Sequence, residues 1–287
     1  MRFGVNMFIW GASFGPADFH RLDAIRAAGF DGIEIPILDP DSFQAGAVGA
    51  ELDCHGLART ACSAVPPGAS LASADALERE RGREHFQRCF DRCAQAGIGL
   101  LAGPFYTPVG AFTGARRTAD EWQRVVASWQ ELASAAAEAR VEVAIEPLNR
   151  FETYFLNTTV DAVALCDAIA HPAVGVLFDT FHANIEEKSP ALGLRTAARP
   201  LKHLHTSEND RGIPGSGHVN WTEVLSTVQD IGYDGWLTIE SFGFAAGPMA
   251  AAASIWRDLA ASPELIAFDG LRFLKHTMAS MDRSHRS

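Results

Sequence analysis

The stretch that decides the fold runs from Val141 to Asp179. It opens on Val141-Glu-Val-Ala-Ile-Glu146, an apolar run that ends in a carboxylate. A polar connection leads into Thr159-Val-Asp-Ala-Val-Ala-Leu-Cys-Asp-Ala-Ile-Ala170, and the segment closes on Val174-Gly-Val-Leu-Phe-Asp179, a second apolar run ending in a carboxylate. Two short β-branched runs separated by a longer Ala- and Leu-rich stretch read as a βαβ unit, with parallel strands buried on both faces.

Outward from this unit the same rhythm fills the chain. Strands are predicted at Phe3–Ile9, Gly32–Ile37, Ala58–Val65, Gly99–Gly103, Val141–Glu146, Val174–Asp179, Leu201–Thr206 and Trp236–Ser241. Between them fall helices at Ala17–Ala28, Gln44–Asp53, Asp75–Ala96, Ala119–Ala139, Thr159–Ala170, Pro190–Ala198, Trp221–Ile231 and Pro248–Leu259. Gly29, Gly97 and Gly232 follow helical runs where a left-handed residue would end them. Eight βα units predict an α/β fold, a single (β/α)8 TIM-barrel domain over residues 1–287; an open doubly wound sheet is the alternative. The polar segment Met281–Ser287 reads as a frayed tail.

Composition narrows the function classes. With 24 Lys+Arg against 35 Asp+Glu the formal charge is −11, which opposes a phosphate backbone and argues against nucleic-acid binding. No run is long and apolar enough for a membrane span, and Met1–Trp10 reads as a strand rather than a signal peptide. Five cysteines without CxxC spacing disfavour a disulfide framework and place the protein in the cytoplasm. Cys89 and Cys93, four apart in a helix, read as small hydrophobes.

A barrel gathers its chemistry at the C-terminal ends of its strands. The last four strands end in Glu146, Asp179, His205 and Glu240, each after apolar residues. Three carboxylates and an imidazole facing one cavity would repel and be costly to desolvate, and a divalent cation resolves that conflict. Mostly oxygen donors with one nitrogen suit Mn²⁺, with Mg²⁺ or Co²⁺ as alternatives, and the lack of thiolates weakens the case for structural zinc.

Four segments carry a family resemblance. They are Glu146-Pro-Leu-Asn-Arg-Phe-Glu152, Asp179-Thr-Phe-His182, His203-Leu-His205-Thr-Ser-Glu-Asn-Asp-Arg211-Gly, and Gly-Tyr-Asp-Gly-Trp-Leu-Thr-Ile-Glu240-Ser-Phe. Together they resemble the ketose 3-epimerases, a group of xylose-isomerase-like TIM barrels that includes the D-tagatose and D-allulose (psicose) enzymes. The close match covers about Glu146 to Phe242; the first half matches mainly in rhythm and in Gly-Phe-Asp-Gly-Ile-Glu34. The resemblance implies that Glu146, Asp179, His205 and Glu240 are metal ligands and that Glu146 and Glu240 are an acid/base pair. It also implies that Glu152, His182 and Arg211 hold the sugar.

Epimerisation at C3 removes the proton beside the C2 carbonyl, passes through an enediolate and returns a proton to the opposite face. Two carriers on separate parts of the wall suit that chemistry, and strands five and eight supply them. The expected substrate is a free ketose such as D-tagatose, D-fructose/D-allulose or ribulose, and a homodimer or homotetramer is expected. The rival readings are an aldose-ketose isomerase or dehydratase on the same barrel, an endonuclease-IV-like phosphodiesterase, and a non-catalytic sugar-binding barrel. His203, on the same side of its strand as His205, reads as a structural hydrogen-bonding residue, and Glu34 as either a functional or a structural carboxylate. Phe8 and Trp10 read as an apolar wall or ordinary core, and Gly212–His218 as a loop edge carrying Arg211 rather than a phosphate cradle. His20, His55, His85, His171, His276 and His285 fall on helices or connections. The loops after strands three and four, Val65-Pro-Pro-Gly and Gly103-Pro-Phe-Tyr-Thr-Pro-Val-Gly, are expected to face the far end of the substrate.

Overall fold

The computed structural model describes residues 1–243 and 248–284. Eight strands pair in parallel in chain order: β1 (Arg2–Asn6), β2 (Gly32–Pro36), β3 (Ala58–Cys62), β4 (Leu100–Gly103), β5 (Glu142–Ile145), β6 (Val174–Asp179), β7 (Leu201–His205) and β8 (Trp236–Ile239). β1 also pairs with β8, Gly4 standing opposite Gly32 on one side and Thr238 on the other, so the sheet closes into a barrel and the open-sheet alternative falls.

The two-residue period of each strand sorts its side chains. Val143 and Ile145 of β5, Val176 and Phe178 of β6, and Leu237 and Ile239 of β8 pack in the main core between strands and helices. Residues of the alternate set, Ala144, Leu177 and Trp236, join Leu100 and Ala102 in a separate apolar cluster that plugs the lower barrel. Glu146, Asp179 and Glu240 continue that inward series at the upper ends, as do Asn6, Glu34, Thr60, His203 and His205 on their strands. Gly32 leaves room for the plug, since a Cβ there would lie 2.7 Å from the Trp236 ring and 2.2 Å from the Ala58 carbonyl.

The connecting helices are α1 (Leu22–Ala28), α2 (Ala45–His55), α3 (Ala76–Ala96), α4 (Ala119–Glu138), α5 (Thr159–Ile169), α6 (Thr180–Glu186), α7 (Pro190–Ala197), α8 (Trp221–Asp230), α9 (Pro248–Ala252) and α10 (Pro263–Ser284). Gly97 ends α3 at φ 68°, as its position predicts. No helix among the described residues is long and apolar enough to cross a membrane.

The structure corrects several predicted bounds. Strand one does not reach Ile9: the Asn6 side chain accepts the Phe8 N–H at 2.9 Å and turns Met7–Ile9 into a 3-10 helix. Strands three and eight stop at Cys62 and Ile239 rather than Val65 and Ser241. The predicted helix Pro248–Leu259 is only five residues long, and α10, unforeseen, follows it. α10 buries Ile266, Ala267, Leu271 and Leu274, and Met281 is buried as well, so the predicted fraying at Met281 does not occur; residues 285–287, with His285, lie outside the described residues. The short α6 was also unforeseen; Asp179 caps it by accepting the Phe181 N–H at 2.8 Å.

Candidate active site

Four inward strand ends meet at the top of the barrel. One donor atom from each of Glu146, Asp179, His205 and Glu240 lies within 4.8 Å of the others, and all four residues are buried. Glu146 follows β5 directly; its N–H donates to the Gly103 carbonyl at 2.9 Å, and the buried Tyr106 hydroxyl donates to its carbonyl at 3.0 Å. Gly103 is required there, because its φ is 144° and a Cβ would come 2.1 Å from the Ser63 carbonyl.

Two buried polar atoms in this group have no hydrogen-bond partner, Glu146 Oε1 and His205 Nδ1. Buried polar atoms are rarely left unpaired without a reason, and here both belong to the four-donor group. The His205 Nδ1 atom lies 3.3 Å from Glu240 Oε2 and 3.9 Å from Glu146 Oε1. Burial, then the neighbouring Glu240 charge, pushes the Glu146 carboxyl well above its usual range. For His205, burial opposes the charged ring, but Glu240 and Glu34 outweigh it and raise its pKa well above the usual value. A compact set of hard donors, two of them unpaired and one carboxyl reluctant to ionise, fits a divalent cation.

Among the described residues, Arg211 is the one guanidinium against this acidic group. Its Nη1 donates to Asp179 Oδ2 and Glu240 Oε2, both at 2.7 Å, and it lies 4.0 Å from the Phe181 ring centre and 5.0 Å from that of Phe242. The backbone pays for this placement with a left-handed φ of 65°, held by its N–H to the Glu208 carbonyl at 3.0 Å and by Ser241 Oγ donating to its carbonyl at 2.6 Å.

Sequence reasoning quoted Glu208 but gave it no role. Its fully buried carboxylate accepts from Gly215 N at 2.7 Å, Val219 N at 3.0 Å, Asn209 N at 3.1 Å and Trp221 Nε1 at 2.8 Å, folding the Gly212–His218 loop onto itself beneath Arg211. A glutamate three residues after a strand end looks solvated in sequence, so only the converging N–H donors reveal it.

His182 of α6 faces the same cavity. Its Nδ1 lies 3.0 Å from both the backbone N–H and the side-chain amide of Asn149, so it accepts, and the ring proton sits on Nε2. The 3.1 Å approach of Arg211 Nη2 to Nε2 then joins two donors and is a contact only. Burial lowers the His182 pKa to about 3, so the ring is neutral and offers its Nε2–H to the cavity over the working pH range. Glu152 accepts from the Asn149 amide at 2.8 Å, and burial raises its carboxyl pKa.

These side chains line a cavity of about 220 Å³. Glu146, Glu152, His182, His205, Arg211 and Glu240 are in its wall, whereas Asp179 touches the group from behind. Ser63 and Ala64 after β3, Gly103 at the end of β4, and Pro104 and Val109 of the next loop are also in the wall, whereas the predicted Val65-Pro-Pro-Gly segment is not. Phe8 also lines it, stacked on Phe242 with ring centres 5.3 Å apart. Trp10 does not; its indole donates to Glu264 of α10 at 2.9 Å. His203 and Glu34 lie inside the barrel, outside the four-donor group, and Cys89 and Cys93 are buried in the core.

Residues 22–276 match the family model for the xylose isomerase-like TIM barrel. A probable ketose 3-epimerase of Synechocystis is 37% identical over 278 residues, covering 96% of each chain. Among solved structures, the D-allulose 3-epimerase of Methylomonas in complex with D-allulose superposes with a TM-score of 0.91 at 26% identity, covering 96% of this chain and 97% of that one. The D-psicose 3-epimerase of Clostridium cellulolyticum with D-tagatose gives 0.90 at 28% identity, covering 96% and 99%. The chain belongs to the xylose isomerase-like TIM-barrel family, within its ketose 3-epimerases. It is therefore an enzyme of the isomerase class.

Proposed function

We propose that this enzyme epimerises a free ketose at C3, with Glu146 and Glu240 as the two proton carriers and Glu146, Asp179, His205 and Glu240 as ligands of one divalent cation, Mn²⁺. The supporting observation is that two buried carboxylates, separated in the barrel by β6 and β7, belong to one four-donor group and line one cavity. When bound, the cation supplies Lewis acidity to the ketose carbonyl as negative charge develops.

The chain's own residues do the rest. One glutamate takes the C3 proton and the other returns a proton from the far face, the roles exchanging with the direction of reaction. His182 donates its Nε2–H to a substrate oxygen as a neutral ring, and Arg211 adds fixed positive charge beside it. Glu152 holds a hydroxyl at the mouth. Phe8, Phe242 and Val109 exclude water from the sugar's carbon face. The substrate is unphosphorylated in this reading: among the described residues Arg211 is the sole Lys or Arg in the cavity wall, and Asp179 and Glu240 already occupy it. D-tagatose, D-fructose/D-allulose and ribulose are the candidates.

We also propose a homodimer or homotetramer. Phe151 and Trp256, 74% and 75% exposed, flank a second cavity beside the mouth and are apolar surface for a second copy. Four of the five unpaired thiols are buried, which suits the cytoplasm.

The test is incubation with Mn²⁺ and each ketose in deuterated water. Solvent deuterium should enter at C3 with the 3-epimer as product. Exchange confined to C1 with aldose formation would establish the isomerase reading instead.

A further inference from the structure

Beneath the four-donor group lies a second polar tier that the proposed mechanism leaves unused. Its centre is Glu34 of β2, fully buried and absent from the cavity wall. Its Oε1 lies 2.7 Å from His205 Nε2 and accepts from Asn6 Nδ2 at 2.9 Å. Its Oε2 lies 2.7 Å from His203 Nε2 and accepts from Thr60 Oγ1 at 3.0 Å. Four neighbours on three strands, β1, β3 and β7, thus converge on one carboxylate that lies outside the cavity wall.

The orientation of each partner is fixed from elsewhere. Asn6 Oδ1 accepts the Phe8 N–H, so its amide nitrogen must face the carboxylates, and it reaches Glu240 Oε1 at 3.2 Å as well as Glu34. The two nitrogens of His205 divide their work: Nε2 is against Glu34, and Nδ1 faces Glu240 and Glu146 without a hydrogen-bond partner. Glu34, His203 and His205 could also be read as a metal triad. The 2.7 Å separation of His205 Nε2 from Glu34 Oε1 is that of one shared proton; His203 Nε2 lies as close to Oε2 without making a hydrogen bond, and Asn6 and Thr60 occupy the remaining approaches to Glu34.

We propose that Glu34 is the positioning residue of the metal centre. It holds the Nε2–H of His205, which leaves the Nδ1 lone pair to face the ion, and through Asn6 it fixes the Glu240 carboxylate in the same register. A carboxylate behind a ligating imidazole sets the tautomer, locks the ring plane and raises the donor strength of the opposite nitrogen. The inference rests on the metal reading given above.

The experiment is an Mn²⁺ titration of the metal-free wild-type chain and of Glu34→Gln, joined to nitrogen NMR of the wild-type histidine rings with diamagnetic Mg²⁺ bound. Glu34→Gln should weaken Mn²⁺ binding by about 10- to 100-fold while circular dichroism stays that of the wild type. The His205 ring in the Mg²⁺ form should carry its proton on Nε2 alone. Equal Mn²⁺ affinity in Glu34→Gln, or a His205 ring protonated on Nδ1, overturns the proposal. The ring spectrum needs no variant, so it decides even if Glu34→Gln does not fold. A wild-type chain that binds no divalent ion fails earlier and overturns the metal reading itself.

Discussion

The two halves of the barrel divide the labour. β5 to β8 end in the four donors that meet above the barrel, whereas β1 to β4 contribute none of them. The first half supplies Asn6, Glu34 and Thr60 one layer below, and the Ser63, Ala64, Gly103 and Pro104 wall around the cavity. The chemistry stands on one side of the cylinder and its support on the other. A family resemblance concentrated between Glu146 and Phe242 therefore finds the first and, of the second, touches only Glu34.

The sharpest way to break this comparison is to neutralise a donor in the second half. Glu146→Gln or Glu240→Gln should lower kcat by about 10²- to 10⁴-fold and abolish deuterium entry at C3, measured by NMR of the recovered ketose. Survival of exchange in either variant would remove that glutamate from proton transfer. The lower plug should behave oppositely. Trp236→Ala should cost about 3–5 kcal/mol in denaturant unfolding through lost burial and a cavity, with the Mn²⁺ Kd left within about threefold of wild type. A large change in that Kd would mean that the two layers are not independent.

Metal removal acts first on the upper tier. Saturation at 100 times the Kd should stabilise the fold by about 2.7 kcal/mol, read as a rise in unfolding midpoint that chelator reverses. The smallest expected effect is on pH. In the metal-free chain Glu146 and His205 both have raised pKa values, so each keeps a proton that a free side chain would have lost, and a cation must displace it. Mn²⁺ affinity should therefore rise with pH, and calorimetry in buffers of different ionisation enthalpy should show net proton release near neutrality. An affinity that is flat with pH would mean that neither group gives up a proton on binding.

The legible part of the molecule follows the same division. The four donors could be read because a carboxylate or imidazole directly after a buried apolar strand has no inexpensive structural excuse, and four in register share one explanation. Glu34 was visible as a strand-end carboxylate, but its partners Asn6 and Thr60 were not, since neutral residues on strands give no such signal. Asn6 also ends β1 early by capping the next turn, which a hydrophobic pattern running on through Met7, Phe8 and Ile9 conceals. α10 is hidden in the sequence because the eight βα repeats are complete before it begins and Gly270 lowers its helical propensity. The structure explains that glycine, as a Cβ there would sit 2.7 Å from the Pro214 ring.

The account stands or falls on whether one ion unites the four strand ends. Anomalous diffraction at the manganese edge from crystals soaked in Mn²⁺ tests this directly. A single strong peak within coordination distance of Glu146, Asp179, the Nδ1 atom of His205 and Glu240 is the predicted result. No peak among these four side chains, or a peak bound through His205 Nε2 and Glu34, would contradict it.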